Sequence, residues 1–487
     1  MRLVVNRLPN RLYPDFKRVI VQFFDIGPER TADLIQKVVR MDDQTAREIL
    51  TQTLREFSRR HRNLTHTYKN NYQRAVQVAG GQIEELETIS NDKKMLIGSY
   101  LSKEYSISAA AFFNPSMVES PDQTGLEEGS TRVNISFRAT GEGHISSIVF
   151  HTGVIDRNNE IHFEKAGRHV DEPEAVKRHL YEKKMTEEKL QEMEVKQEII
   201  DAVLGPLNDT FVYGELLGSS LNVLKDPSLN EEERRAVEQI VWLADSHYQI
   251  TFSRDTHLSE RVIFPISYTE QRGIEDARFV RFVSDEGKVT YYATYSAYDG
   301  YTILPKLIVT EDFCSFEVKP LHGRGAQNKN LALFPRKING KYAMLSRIDG
   351  INSYIGFSDH IHIWDDPIKV QEPKHPWEYI QLGNCGSPIE TDEGWLVITH
   401  GVGPMRQYCL GAMLLDLDDP TKEIGHLKEP LLAPNNEERE GYVPNVVYSC
   451  GALIHNDTLI VPYGTSDTGA AFMTIDLDTL LHRIMKP

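Results

Sequence analysis

The chain has 487 residues, 40% hydrophobic and 26% charged, an ordinary globular composition with enough apolar surface for more than one core and too little bias for a disordered or fibrous protein. Its formal charge of −17 repels a nucleic-acid polyanion, so that class of partner is set aside. The four cysteines, Cys314, Cys385, Cys409 and Cys450, form no CxxC pair, which speaks against a zinc ribbon and a disulfide scaffold and for a reducing compartment.

Near the basic N-terminus the longest apolar run, 19–24, is broken by Gln22 and is too short for a signal peptide or a membrane span. The expectation is a cytoplasmic protein with no membrane partner. From about residue 28 the pattern is helical: Ala32, Leu34, Ile35, Val38 and Val39 make one stripe, and Ile49, Leu50, Leu54 and Phe57 a second. Pro28 and the Asp42-Asp43 pair stand where helices start. A helical N-terminal domain is predicted over 1–104, and its residues suggest no chemistry.

At Phe112 the pattern changes to short strands separated by turn signals, in a region taken as 105–487. A charged helical insertion over about 171–246 interrupts it, with helix starts at Thr186-Glu187-Glu188 and at Asn230, and its charge run reads as a solvated helix face. Five times a strand, a polar turn and a second strand end in a polar cluster, at 115–138, 276–298, 330–347, 387–400 and 445–467. The turns hold Gly125, Gly287, Asn339-Gly340, Asp392-Glu393-Gly394 and Asn456-Asp457, the residues that tight hairpins demand. Repeats of this length built from strands predict a mainly β fold: a five-bladed β-propeller with an N-terminal α-helical domain and a helical insertion.

In an antiparallel hairpin the start of the first strand lies beside the end of the second. The polar residues at those places are Asn114 with Arg138, Glu275 and Asp276 with Tyr298, Lys329 and Asn330 with Arg347, Ser387 with His400, and Asn445 with Asp467. In a propeller they meet at one mouth of the central channel. Carboxylates and amides there suit sugar hydroxyls. Arg138, Lys329 and Arg347 held close together call for an anion, and phosphate matches guanidinium donors.

Phe113-Asn114-Pro115-Ser116, Phe137-Arg138-Ala139, the run 273–278 (Gly-Ile-Glu-Asp-Ala-Arg), Asn328-Lys329 followed by Leu333-Phe334-Pro335, Gly340-Lys341-Tyr342 to Arg347, His400-Gly401-Val402, the run 443–447 (Val-Pro-Asn-Val-Val) and Tyr463-Gly464 to Asp467-Thr468 resemble, in order, the motif series of glycoside hydrolase family 130, the mannoside phosphorylases and related β-mannosidases. The resemblance covers about 112–160 and 250–487; the N-terminal domain and the insertion lie outside it. It implies that Asp276 is the general acid and that inorganic phosphate attacks the mannosyl anomeric carbon with inversion, the proton reaching the glycosidic oxygen through a sugar hydroxyl. It further implies that Asn114, Arg138 and Asp467 hold the mannosyl unit, with Tyr298 at the same mouth, and that Lys329, Asn330, Arg347 and His400 bind phosphate. The expected partners are a β-mannoside or manno-oligosaccharide and inorganic phosphate as co-substrate, with no other cofactor; a homo-oligomer is compatible with the sequence.

Two residues depart from the family pattern: Ala277 replaces the usual Pro, and Glu390 stands where many of these phosphorylases place a phosphate-binding Lys. A phosphate site there requires Glu390 to be turned away or paired with a cation such as Arg324 or Arg406. The alternative is an inverting β-mannoside hydrolase in which Glu390 activates water, with Glu438 or Glu440 nearby. A third reading is a non-catalytic sugar-binding propeller, against which the acid at Asp276 counts. No metal site is read: the spacing of His144, His151 and His162 fits no ligand pattern.

Overall fold

A computed structural model describes residues 3–80, 89–167, 169–176 and 180–486. The parts of the predicted helical segments at 81–88 and 177–179 lie outside the described residues. The chain divides into two compact units.

The smaller unit is Asp15–Ala109 with Gly167–Glu172. Pro28 opens the first helix, Pro28–Arg40, where its missing N–H is not needed, and the Asp42 carboxylate caps the second, Asp43–Phe57, by accepting the Thr45 N–H at 2.9 Å. Both predicted stripes face a shared core with helices Leu64–Val78 and Asn91–Tyr100, burying Ile35, Val38, Leu50, Tyr68 and Ile97. A two-stranded ribbon, Val19–Phe23 with Ser102–Ser106, completes the unit.

The larger unit, Met1–Pro14, Ala110–Ala166 and Pro173–Pro487, is built on five antiparallel sheets. The first strand of each is Ala111–Glu119, Gly273–Val283, Lys329–Leu333, Gln381–Asn384 and Val447–Tyr448 in turn. Each pairs with the strand that ends in the predicted polar cluster: Thr131–Thr140, Val289–Tyr298, Tyr342–Arg347, Gly394–Val402 and Thr458–Thr465. The turn chemistry is as the residue types demand. Asn339 and Gly340, and Asn456 and Asp457, have positive φ, and each pair closes a two-residue loop, between Ile338 and Lys341 and between His455 and Thr458.

Hydrogen bonds link each sheet to the next. The Ser146 hydroxyl donates to the Ile274 carbonyl (2.9 Å), and the Val283 N–H to the Pro335 carbonyl (2.9 Å). The Asn330 and Asn384 side chains each donate to the other's backbone carbonyl (2.8 and 2.7 Å), and the Tyr408 N–H donates to the Asn445 carbonyl (3.0 Å). The fifth sheet returns to the first through the Cys450 N–H and the Pro115 carbonyl (2.8 Å).

The N-terminal strand Asn6–Leu12, predicted as part of the helical domain, instead pairs with Gly469–Asp476 at the edge of the fifth sheet. It has no β-branched residue and carries Pro9, so its sequence does not read as a strand. The insertion contains helices Lys183–Glu192, Gln197–Leu204, Tyr213–Leu224 and Glu231–Asp245, together with short strands at Leu180–Glu182 and Thr210–Val212. Under its charged face it has an apolar core of its own, including Leu190, Ile200, Val203, Phe211, Leu216 and Ile240. Asn230 and Glu233 form a reciprocal cap at 2.9 Å, whereas Thr186 falls one turn inside the helix it was read to start. All four cysteines are buried thiols. Among the described residues no helix is long and apolar enough to cross a membrane.

Candidate active site

One local device, repeated in three sheets, aims the functional side chains. The ladder between Ala111–Glu119 and Thr131–Thr140 skips from Phe113↔Arg138 to Ser116↔Ser136, so Asn114 and Pro115 oppose one residue. The second sheet does the same at Asp276 and Ala277, and the third at Asn330 and Leu331. Each is a β-bulge, which bends the strand and re-aims a side chain. The first bulge residue has positive φ each time: 50° at Asn114, 54° at Asp276 and 66° at Asn330. Asn and Asp are the side-chain-bearing residues that best tolerate this region, and such strain gathers at functional sites. Asn445, before the first strand of the fifth sheet, shares the conformation at 64°. Opposite the residue preceding the bulge stand Arg138 in the first sheet and Arg347 in the third.

These side chains meet in a cavity of about 220 Å³ lined by Asn114, Arg138, Glu275, Asp276, Lys329, Asn330, Arg347, His400 and Asp467. Eight of the predicted site residues are therefore brought together: Asn114, Arg138, Asp276, Lys329, Asn330, Arg347, His400 and Asp467. Tyr298 is not among them; it pairs with Gly273 at the strand end, and its hydroxyl donates to the Gly300 carbonyl (2.8 Å). Nor is Ser387, because the ladder in the fourth sheet sets Gly383, not Ser387, opposite His400.

Asp276 is partly buried. Its Oδ1 accepts from Asn114 Nδ2 at 2.7 Å and from Arg138 at 3.4 Å. Burial opposes its ionisation, but Arg138, Arg278, the Asn114 hydrogen bond and Lys329 together hold its pKa below the usual carboxylate value. Asp467 shows the opposite balance: burial lifts it to about 6, Arg138 pulls against that and Asp276 adds to it. Glu275 accepts from Arg138 (2.9 Å) and from Lys329. The charges of Arg138 and Lys329 are thus already countered, a correction to the expectation that both await an anion.

Arg347 is different. It is 7% exposed, its guanidinium meets the His400 ring nitrogen at 3.1 Å, and among the described residues its Nε has no partner. Burial pushes its pKa down and keeps the His400 ring, which is also beside Arg347, neutral. Gly383 makes room for this pair: a Cβ there would stand 2.6 Å from His400 Cε1 and 3.2 Å from an Arg347 nitrogen. Gly383→Ala is expected to displace both side chains and to weaken binding of added inorganic phosphate several-fold, measured by calorimetry.

Glu390 is elsewhere. It lies on the short strand Ile389–Thr391, half exposed, and its carboxylate accepts two hydrogen bonds from Arg336 at 2.6 and 2.8 Å, which hold its pKa down. Its partner is therefore neither Arg324 nor Arg406. Arg406 lines the cavity instead. Glu438 is buried but bound by Arg7 at 3.0 Å and by the Tyr463 hydroxyl at 2.7 Å, and Glu440 is exposed outside the cavity lining. Of the three histidines considered for a metal, His162 joins Asp156 and Glu160 in an exposed group whose ligand atoms lie within 4.8 Å of one another, and its ring is hydrogen-bonded to Asp156 at 3.1 Å.

Sequence reasoning missed Gln381, Tyr408 and Tyr448 in the lining, and Arg278 behind it. Arg278 is fully buried, and was legible as the residue two positions beyond the acid; the tyrosines look like ordinary strand residues.

The sequence model of glycoside hydrolase family 130, described as beta-1,4-mannooligosaccharide phosphorylase, matches residues 231–486, more than half of the chain. The chain belongs to glycoside hydrolase family 130. Among relatives, a 1,2-beta-oligomannan phosphorylase of Thermoanaerobacter sp. (strain X514) is 41% identical over 206 residues, which are 41% of this chain and 67% of the relative. A beta-1,2-mannobiose phosphorylase of Listeria innocua is 34% identical over 251 residues, 49% of this chain and 69% of that one. A solved structure of the Listeria innocua beta-1,2-mannobiose phosphorylase in complex with beta-1,2-mannobiose aligns with a TM-score of 0.45 and 24% identity, covering 79% of this chain and 94% of that one. The family match begins at the first residue of the helix Glu231–Asp245 and so leaves out the cavity residues of the first sheet, Asn114 and Arg138, which the geometry above brings into the cavity.

Proposed function

We propose that this family 130 enzyme cleaves β-mannosides by inverting phosphorolysis, releasing mannose 1-phosphate, with the five sheets as the blades of a five-bladed propeller around the shared cavity. The observation that carries the reaction type is Arg347: a buried guanidinium that meets no carboxylate among the described residues, in the same cavity as the partly buried carboxyl of Asp276. Arg138, Lys329, Arg347 and Arg406 line the cavity against Glu275, Asp276 and Asp467, and Arg278 lies directly behind. That leaves two positive charges in surplus, which a phosphate dianion matches.

In this reading Asp276 is the general acid, Asn114, Arg138 and Asp467 hold the mannosyl unit, and Arg347, Asn330, His400 and Lys329 receive phosphate. The arriving anion counters the cations that keep Asp276 ionised and so returns it toward the protonated form that an acid needs. No protein base is called for, because phosphate is itself the nucleophile. The hydrolase reading loses its residue, since Glu390 is spent on Arg336 outside the cavity. Glu390→Gln is expected to leave kcat within about twofold of wild type in a coupled assay, as befits loss of an exposed ion pair; abolition of activity would restore the hydrolase.

The deciding experiment is incubation with β-1,2- and β-1,4-manno-oligosaccharides, with and without phosphate, and identification of the product. The β-1,2 linkage comes first because both relatives above are named for it. Mannose 1-phosphate formed only with phosphate is expected; free mannose at full rate without phosphate would overturn the proposal.

A further inference from the structure

Tyr448 lies on the short first strand of the fifth sheet, Val447–Tyr448, and lines the cavity on the side of Arg347, Asn330 and His400, its ring centroid 4.8 Å from that of His400. Its hydroxyl oxygen accepts two hydrogen bonds, from Arg278 at 2.7 Å and from Asn330 Nδ2 at 3.2 Å. A phenol with both donors on its oxygen has one capability left, its own O–H, and among the described residues no acceptor takes it. Among the described residues Arg278, 2% exposed, has no ion-paired carboxylate and no partner on Nε; it donates to the Asp276 backbone carbonyl (2.8 Å) and to Tyr448. A guanidinium held in that way polarises the phenol it touches and makes it a stronger donor.

Resting on the phosphorolysis reading, we propose that Tyr448 is a phosphate-binding residue whose hydroxyl donates to the incoming anion, and that Arg278 is a positioning residue that delivers its charge to the phosphate site through that hydroxyl. Arg278 also holds the backbone of the acid, so one buried cation fixes the phosphate donor and the Asp276 main chain together. A bare guanidinium at that place could reach the anion only by entering the cavity. Relayed through the phenol, it stays behind the wall and leaves the cavity shape to the sugar.

The test is Tyr448→Phe. It is expected to raise the KM for inorganic phosphate about tenfold or more, the loss of one hydrogen bond to a charged group, while the KM for the mannoside changes less than about twofold. Because the variant strips a partner from buried Arg278 and could fold poorly, the second measurement keeps the hydroxyl. With 3-fluorotyrosine placed at position 448, the fluorine resonance is expected to shift on titration with inorganic phosphate and to stay in place with mannose alone. An unchanged phosphate KM in folded Tyr448→Phe, or a resonance indifferent to phosphate, overturns the assignment even when the wild-type enzyme makes mannose 1-phosphate. Free mannose released by the wild-type enzyme without phosphate overturns the phosphorolysis reading itself.

Discussion

Asp276→Asn is expected to lower kcat by about 10²- to 10⁴-fold on an unactivated β-mannoside while the protein stays folded and still binds phosphate. The amide oxygen can keep accepting from Asn114 Nδ2 and Arg138, the two contacts that Oδ1 makes, so the bulge that presents residue 276 retains its anchors. What is lost is the proton. Removing the carboxylate also takes one negative charge away from Arg138 and Arg278, so phosphate affinity should hold or rise, which separates a catalytic defect from a damaged site. A second readout follows from Asp467. Burial raises its pKa to about 6 and Asp276 contributes to the rise, so neutralising Asp276 must lower it. Calorimetric binding of mannose to Asp276→Asn should therefore titrate at lower pH than binding to wild type. Wild-type turnover in the variant would take Asp276 out of the mechanism, and an unmoved titration would show that the two carboxylates do not feel each other.

How much of this was legible depended on whether the signal was local. The hairpin turns were, because Asn339-Gly340 and Asn456-Asp457 adopt positive φ for reasons contained in two residues. So was the position of Asn114, Asp276 and Asn330, each within the first four residues of its strand. The bulge that aims them was not, since it depends on the register against a partner strand, and it is that register which puts Gly383 rather than Ser387 opposite His400. Ion pairing was hidden for the same reason. Nothing near residue 390 in sequence points to Arg336, 54 positions away, nor does anything near Arg7 point to Glu438, 431 positions away. The strand Asn6–Leu12 escaped notice because its place is set by an open sheet edge at the far end of the chain, not by its own propensity. Tyr448 carries no signal of its own in the sequence, because its ring is buried like that of any strand tyrosine and its hydroxyl reaches the site only through partners distant in the chain.

Arg347→Ala is expected to raise the KM for phosphate by about 10²-fold or more and to leave the KM for the mannoside nearly unchanged, measured by varying each substrate at fixed concentrations of the other. The magnitude follows from what is removed: a charge-assisted donor to a dianion in a buried place, with hydrogen bonds to charged groups contributing about 1.5–3 kcal/mol each and more than one such bond available to a guanidinium. Folding should survive, because Arg347 gives up no ion pair. Its side chain meets the neutral His400 ring, and its charge is opposed by burial in the unliganded protein, so alanine relieves that cost even as it opens a void. The apparent melting temperature without phosphate is therefore expected to match wild type or exceed it, while the stabilisation that wild type gains from added phosphate should vanish. Lys329→Ala should behave otherwise: it frees Glu275 from one of its two cations, so the loss falls on the acid side of the cavity as well as on phosphate. If phosphate still protects Arg347→Ala against heat as it does wild type, the anion sits elsewhere in the cavity, and the surplus charge that singles out Arg347 has another purpose.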